Sequence, residues 1–339
     1  VTKPGSRLED YLYELPPDRI AQRGVEPRDH SRLLVVDRRR EAFEHARFYD
    51  LPRYLRAGDL LVFNETRVIP ARLFGVKEGG ARVEALLVRE EAPERWWAMV
   101  RPGRRLRPGA RVRFGELAAR VEAVNEEGLR LLVFSEPLRP HLESLGHTPL
   151  PPYINQPVEP QRYQTVYARR DGSVAAPTAG LHFTPRLLAE LEAMGVEQAR
   201  LVLHVGPGTF QPVKGSIESH RMHAERYEVP AETAARVNAA LAEGRRVVAV
   251  GTTVVRTLEA AYQEGAGVRA GAGETRLFIR PPYRFNVVGG LVTNFHLPGS
   301  TLLMLVAAFA GYRLTMDAYR EALAGEYRFF SLGDAMLIL

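Results

Sequence analysis

The chain is 339 residues long and has no cysteine; its 46 Lys and Arg against 40 Asp and Glu give a formal net charge of +6. That length buries a full core and suggests two domains. The missing cysteine excludes thiolate zinc sites, iron–sulfur clusters, a Cys nucleophile and structural disulfides.

The positive balance favours a polyanionic partner. Lysine occurs only at Lys3, Lys77 and Lys214, so nearly all the positive charge is arginine. Arginine suits bidentate phosphate contacts and stacking on bases, although genomic base composition or thermal adaptation gives the same bias. The first residues carry no apolar signal core and no stretch reaches membrane-spanning length, so a cytoplasmic protein is expected.

In chain order, residues 33–37 (Leu-Leu-Val-Val-Asp) read as a buried strand left through a turn at 38–40. Residues 51–55 predict a short helix. Residues 60–63 predict a second strand ending in Asn64-Glu65-Thr66-Arg67, polar residues that either serve function or satisfy the turn backbone. From about Leu73 to Phe134 short alternating segments appear at 81–89, 95–100, 110–114, 118–124 and 129–134, with turn residues between them. This texture predicts a small antiparallel β-barrel, residues 71–148, inserted into a larger α/β sandwich domain formed by residues 1–70 and 149–339. The loop carrying Arg101, Arg104 and Arg105 is strongly basic; it is either an RNA phosphate contact or an ordinary solvated hairpin.

The most informative stretch spans residues 174–210. A small-residue turn, Ala176-Pro-Thr178-Ala-Gly180-Leu-His182-Phe183, leads to Thr184 and Pro185, which start a helix as its cap and first residue. An apolar strand then runs into His204-Val-Gly206-Pro-Gly208-Thr209-Phe210. In open α/β sheets ligands sit at the carboxyl ends of strands, on loops of this kind. Next, His220, His223 and Glu225 have metal-ligand residue types. A strand, however, puts His220 on the opposite face from the other two, and a helix leaves Glu225 poorly aligned.

Residues 230–243 predict an amphipathic helix stopped by Gly244. A buried strand at 246–250 then enters Gly251-Thr252-Thr253-Val-Val-Arg256, a strand–turn–helix junction whose amides and hydroxyls either bind an anion or simply cap the helix. It has neither a dinucleotide fingerprint nor a P-loop. After a flexible run at 265–273, Thr293-Asn294-Phe295-His296-Leu-Pro-Gly-Ser300 forms a third strand-end loop, with Ser300 or Thr301 capping an apolar helix over 302–309. A final helix over 319–330 and an apolar strand over 334–339 complete the pattern.

Three separated loops thus carry His182, His204 and His296, each near a Phe. One such His is usually a hydrogen-bonded core residue, whereas three at similar strand-to-loop positions point to a site. Histidine serves acid–base chemistry near neutrality, and aromatic faces bind flat bases and cations, sulfonium included. The Gly-x-Ser-x-Gly elbow and the His-Glu-x-x-His motif are absent.

The chain resembles the S-adenosylmethionine:tRNA ribosyltransferase-isomerases of queuosine biosynthesis. The likeness is carried, in order, by Tyr11-Leu-Tyr-Glu-Leu-Pro, Arg28-Asp-His-Ser, the run from Gly58 to Arg72, Ala176 to Thr184, Leu203 to Phe210, Met222-His-Ala-Glu225, Gly251 to Glu259 and Thr293 to Ser300. Only the barrel segment matches loosely. The resemblance implies an α/β domain with an inserted barrel and no metal. It also implies transfer of the ribosyl moiety of S-adenosylmethionine to 7-aminomethyl-7-deazaguanine at the wobble position of tRNA. The sugar rearranges to give epoxyqueuosine while adenine and methionine leave.

That chemistry needs a base for the proton on the ribose 5′ carbon, which the sulfonium acidifies. It also needs an acid for departing adenine and a neutral attacking amine. The candidates are His182, His204, His223, Glu225 and His296. Phe183, Phe210 and Phe295 are candidate partners of adenine or sulfonium, together with Thr178, Gly180 and Asn294 on the same loops. The amides of Gly206, Gly208, Thr209, Thr252 and Thr253, with Arg256 beside them, are candidates for the methionine carboxylate or a tRNA phosphate. S-adenosylmethionine is on this reading consumed, tRNA is the partner, no membrane is involved and the protein is a monomer. The rivals are an S-adenosylmethionine-dependent RNA methyltransferase, against which the missing Gly-x-Gly-x-Gly counts, and a non-catalytic tRNA-binding protein.

Overall fold

The computed structural model describes residues 3–339. The chain divides into two units, one of residues 1–66, 151–170 and 176–339, the other of residues 67–150 and 171–175. The short return segment 171–175, expected in the larger domain, groups with the smaller one. There the Ile69 N–H donates to the Ser173 carbonyl at 3.0 Å and Val174 packs in the barrel's core.

The larger unit is built on a nine-stranded sheet. Its order is Gly271–Thr275, Glu225–Val229, Glu197–Leu203, Leu60–Asn64, Val247–Val250, Gly290–Asn294, Ala335–Ile338, Arg32–Asp37 and Ala42–Arg47. The four central strands from Glu197–Leu203 to Gly290–Asn294 are mutually parallel. Ala335–Ile338 runs antiparallel to Gly290–Asn294, and the outer pairs are antiparallel hairpin-like additions. Leu60–Asn64, Val247–Val250, Gly290–Asn294 and Ala335–Ile338 are buried at every residue, as strands covered on both faces must be.

Side-chain alternation sorts those strands into two cores. Leu60, Val62, Val247, Ala249, Leu291 and Met336 join one cluster with the buried faces of helices Ala231–Ala242, Thr252–Ala261, Thr301–Ala310 and Tyr312–Ala324. Leu61, Phe63, Val248, Val250, Val292 and Leu337 join the other, with Phe48, Phe183, Leu187 and Leu191. Phe183, read as a substrate partner, is therefore a core residue: it is fully buried and meets Phe48 and Phe63 edge-on.

The smaller unit closes on itself. Strands Arg72–Lys77, Arg82–Ala92, Arg95–Arg101, Arg130–Phe134, Leu117–Val124 and Arg111–Phe114 pair in that order, and Arg111–Phe114 pairs back onto Arg72–Lys77. All six neighbours are antiparallel, so the sheet is a barrel without open edges. Leu73, Val83, Ala85, Trp96, Val112, Phe114, Val121 and Phe134 fill it. The expected fold class, a mixed α/β unit with an antiparallel barrel, holds. Sequence reading overlooked the closing strand Arg72–Lys77.

Local differences have local causes. The last helix is Tyr312–Ala324, not 319–330, because Gly325 ends it and Glu326 takes a left-handed φ of 61°. The run 265–273, expected to be flexible, contributes Gly267–Val268 and Gly271–Thr275, whose ladder bonds need no apolar side chains. Of the short helix expected over 51–55, residues 51–53 end a 3₁₀ helix, Phe48–Arg53, and 54–55 lie beyond it.

Candidate functional site

The parallel strands of the larger unit end at Asn64, Leu203, Val250 and Asn294, and the loops that leave them wall a cavity. Among the expected site residues it is lined by Thr178, Thr209, Phe210, Thr252, Thr253, Asn294, Phe295 and His296. Two caps fix the nearby helices: Thr184 Oγ1 accepts from the Leu187 N–H at 3.1 Å, and Ser300 Oγ from the Leu303 N–H at 3.2 Å. Helix Thr252–Ala261 starts at the cavity itself. Gly251 turns the chain from strand into helix at φ 96°, a conformation that favours glycine, and first-turn amides have no helical carbonyl to reach.

His296 is buried at the wall, with Nε2 2.7 Å from Thr293 Oγ1. Its amide donates to the Tyr319 hydroxyl and its carbonyl accepts from the Tyr13 hydroxyl. Burial lowers its pKa to about 3, so the imidazole is neutral. His182 sits behind the wall, 4% exposed and stacked on Phe48. Its Nε2–H donates to Asn294 Oδ1 at 2.8 Å, and Nδ1 accepts from Ser31 Oγ at 2.7 Å. Burial takes its pKa down to about 4, partly opposed by the Asn294 hydrogen bond. Asn294 is oriented in turn, its Nδ2 donating to the Phe330 and Ser331 carbonyls. His182 is thus a neutral, doubly hydrogen-bonded brace for a cavity residue.

The other candidate acid–base groups gather around the 204–210 loop. His204 is half-buried, with Nδ1 2.8 Å from Thr66 Oγ1. Glu225 is buried; its Oε1 accepts the Gly206 N–H at 3.1 Å and its Oε2 is paired with Arg256 Nη1. Arg256 does not reach the cavity wall. It is buried, its Nε donates to the Leu277 carbonyl, and its Nη2 has no partner among the described residues. The exposed His223 ring stands where a side chain at Gly208 would go: a Cβ there would lie 2.6 Å from it. Gly180 likewise has no room for a Cβ, which would stand 2.0 Å from the Tyr167 hydroxyl. His220 packs edge-on against Phe278, and its pKa is lowered by burial and by His223. No three His, Asp or Glu side chains among the described residues are grouped to hold a metal ion.

Phe295 borders the cavity, but its ring packs against Tyr319, Tyr327 and Phe329 in the core. The aromatic wall is instead Phe210 with Tyr153, edge-on at 6.0 Å, and Phe330 beyond Tyr153 at 4.8 Å. Sequence reading missed Tyr153, Phe330 and Ser331. Phe330 takes φ 71°, rare for a bulky residue, and is clamped there by its N–H to the Phe295 carbonyl at 3.0 Å. The polar strand end at Asn64 is structural. Its side chain exchanges hydrogen bonds with the Leu203 backbone, and its Nδ2 also reaches Thr253 Oγ1 at 3.1 Å.

Arg101, Arg104 and Arg105 lie on the barrel unit and are exposed. Among the described residues, no single helix is long and apolar enough to cross a membrane.

Comparison with known proteins finds matches over nearly the whole chain. The family model described as queuosine biosynthesis protein matches residues 8–338. An S-adenosylmethionine:tRNA ribosyltransferase-isomerase of Thermus thermophilus is 62% identical, over 98% of this chain and 99% of that protein. The one of Moorella thermoacetica is 58% identical over 98% of this chain and all of that protein. A solved S-adenosylmethionine tRNA ribosyltransferase from Thermotoga maritima is 42% identical and superposes with a TM-score of 0.58, covering 97% of this chain and 99% of that one. The chain belongs to the queuosine biosynthesis protein family.

Proposed function

We propose that this protein is an S-adenosylmethionine:tRNA ribosyltransferase-isomerase. It moves the ribosyl group of S-adenosylmethionine onto the amine of 7-aminomethyl-7-deazaguanine at the wobble position of tRNA, and releases adenine and methionine as epoxyqueuosine forms. S-adenosylmethionine is consumed, no resident cofactor or metal is needed, and the enzyme works as a cytoplasmic monomer.

Beyond family membership, the observation that carries this reading is the composition of one cavity. Aromatic rings of Tyr153 and Phe210 stand on its wall together with the start of helix Thr252–Ala261 and the neutral His296. A flat base or a sulfonium suits the rings. A carboxylate suits the free amides and positive dipole end of the helix. S-adenosylmethionine has all three groups. A neutral imidazole can hydrogen-bond to a sugar hydroxyl or an amine without placing a second cation beside the sulfonium.

The test is one reaction followed by mass spectrometry. The protein, S-adenosylmethionine and tRNA carrying 7-aminomethyl-7-deazaguanine should yield free adenine and epoxyqueuosine together. S-adenosylhomocysteine with a methylated nucleoside would overturn the reading in favour of a methyltransferase. Bound tRNA without any product would leave a binding protein.

A further inference from the structure

The barrel's outer surface carries an exposed apolar strip that the chemistry above does not use. Along strand Arg72–Lys77 the pleat turns Leu73 inward and Phe74 and Val76 outward, where they are 55% and 48% exposed. Strand registers show what flanks them. Val76 stands opposite Arg113 on one neighbour and Arg82 on the other, so Arg113, Val76 and Arg82 form one row across three strands. The next row runs Phe74, Glu84, Arg101, since Glu84 pairs with both. Arg82, Arg101 and Arg113 are all exposed, with no ion pair among the described residues. Glu84, the acid within these rows, is already neutralised by Arg72 at 3.3 Å. The His147 ring makes a T-shaped contact with Phe74 at 5.2 Å, and Phe74 stays 55% exposed beside it.

From this arrangement we infer that the outer face of the barrel around Phe74 is where the RNA substrate docks. Phe74 stacks on an unpaired base, and Arg82, Arg101 and Arg113 contact the phosphates on either side. A closed barrel has no free edge and no structural need for an exposed phenylalanine and valine in adjacent rows that carry unpaired arginines. Alternating cation and aromatic on a β-surface is the chemistry that holds single-stranded nucleic acid: arginines follow the backbone, and a ring takes a base without regard to its identity. A protein partner of acidic character would use the arginines but not an isolated flat ring. The inference rests on the proposed tRNA reaction for the identity of the RNA, but not for the existence of the surface.

The experiment measures tRNA binding by fluorescence anisotropy over a salt series, alongside turnover, for wild type, Phe74→Ala, the double variant Arg82→Glu/Arg113→Glu, and Arg313→Glu. The last reverses one charge at the exposed Arg313 on the half-buried helix Tyr312–Ala324 of the larger unit, and tests a charge reversal outside the barrel. Phe74→Ala should weaken binding roughly 10-fold or more, the loss of one stacked base. The double reversal should weaken it further and lower the slope of log Kd against log salt by about 2, for two lost phosphate contacts. In both, the KM for S-adenosylmethionine and kcat at saturating tRNA should match wild type, and so should the melting temperature. Equal affinity and salt slope for all four proteins would overturn the inference. Wild-type binding without turnover would sink the proposed reaction instead, and the variants' affinities would still decide the docking face. No binding by wild type would sink both.

Discussion

The two ends of this protein's chemistry are built in opposite ways. At the carboxyl ends of the large sheet, polar groups are buried and fastened to one another: His182 to Ser31 and Asn294, Glu225 to Arg256 and Gly206, His296 to Thr293. On the barrel, Arg82, Arg101 and Arg113 are exposed and unpaired. A site that must hold a small molecule for proton transfers gains from groups fixed before the ligand arrives. A surface that must attract a polyanion gains from cations left free in water, because their partners are to be phosphates. Burial therefore makes the first region sensitive to single substitutions and pH, while exposure makes the second sensitive to salt and to summed charge.

The largest effect should come from Glu225. Replacing it with Ala leaves the Arg256 guanidinium buried without its counter-charge and strips the Gly206 amide of its acceptor. The expected loss is about 3–5 kcal/mol of stability, measured by chemical denaturation. The apolar double variant Glu225→Leu/Arg256→Met should recover most of it, since neither charge is then stranded. If the pair serves only the fold, that double variant should also work. If it positions the 204–210 loop at the cavity, stability returns while kcat/KM for S-adenosylmethionine stays down by roughly 100-fold, the scale of a displaced substrate-positioning loop.

A second effect is a pH dependence of stability set by the two neutral histidines. Their folded pKa values, about 4 for His182 and about 3 for His296, lie below the unfolded value near 6.5. The unfolded chain therefore binds protons that the fold excludes, and stability falls as pH drops from about 6.5 toward 4; above about 7 these groups contribute no slope. For His182 alone the loss across that window is on the order of 3 kcal/mol. His182→Gln should start from a lower stability, having given up buried hydrogen bonds, but lose less of it on acidification. Parallel wild-type and variant curves between pH 7 and 4 would show that His182 is not held neutral. Turnover of the variant separates brace from catalyst. A brace lowers kcat partially and shifts with Asn294 substitutions, whereas a proton-transfer group takes nearly all activity with it.

Much of this was readable from residue order alone, for physical reasons that differ by element. The strands at 33–37, 60–63 and 246–250 announce themselves as nearly unbroken apolar runs between turns, and Thr184-Pro185 and Ser300 as helix starts. The strand Arg72–Lys77, Arg-Leu-Phe-Gly-Val-Lys, escaped because its outward residues Phe74 and Val76 are apolar too, which erases the alternation that marks a half-exposed strand. The same anomaly is what singles out the barrel face. At the site, spacing found the three loops but not which side chains line the cavity. Phe183 and Phe295 look like Phe210 in sequence, and only packing sends two of them into the core. Arg256 reads as a cation beside the anion-binding amides until Glu225, 31 residues away, is seen to pair with it. Tyr153 and Phe330 come from distant segments with no local motif and meet only in three dimensions.

The smallest effect separates the sheet face of the barrel from its basic loop. Arg104 and Arg105 lie in a 3₁₀ turn, Gly103–Arg105, and are as exposed as Arg82 and Arg113, but no exposed aromatic shares their segment. Phosphate contact without stacking is worth little per residue when side chains are long and solvated. Arg104→Ala or Arg105→Ala should therefore raise the KM for tRNA only about two- to fivefold, with the salt slope falling by less than about 1 for each. Neither should alter the KM for S-adenosylmethionine. A loss as large as that of Phe74→Ala would move the centre of the RNA surface from the sheet to the loop. No change at all would mark the loop as a solvated hairpin and confine the contact to the rows through Val76 and Phe74, where an exposed ring and unpaired cations occur together.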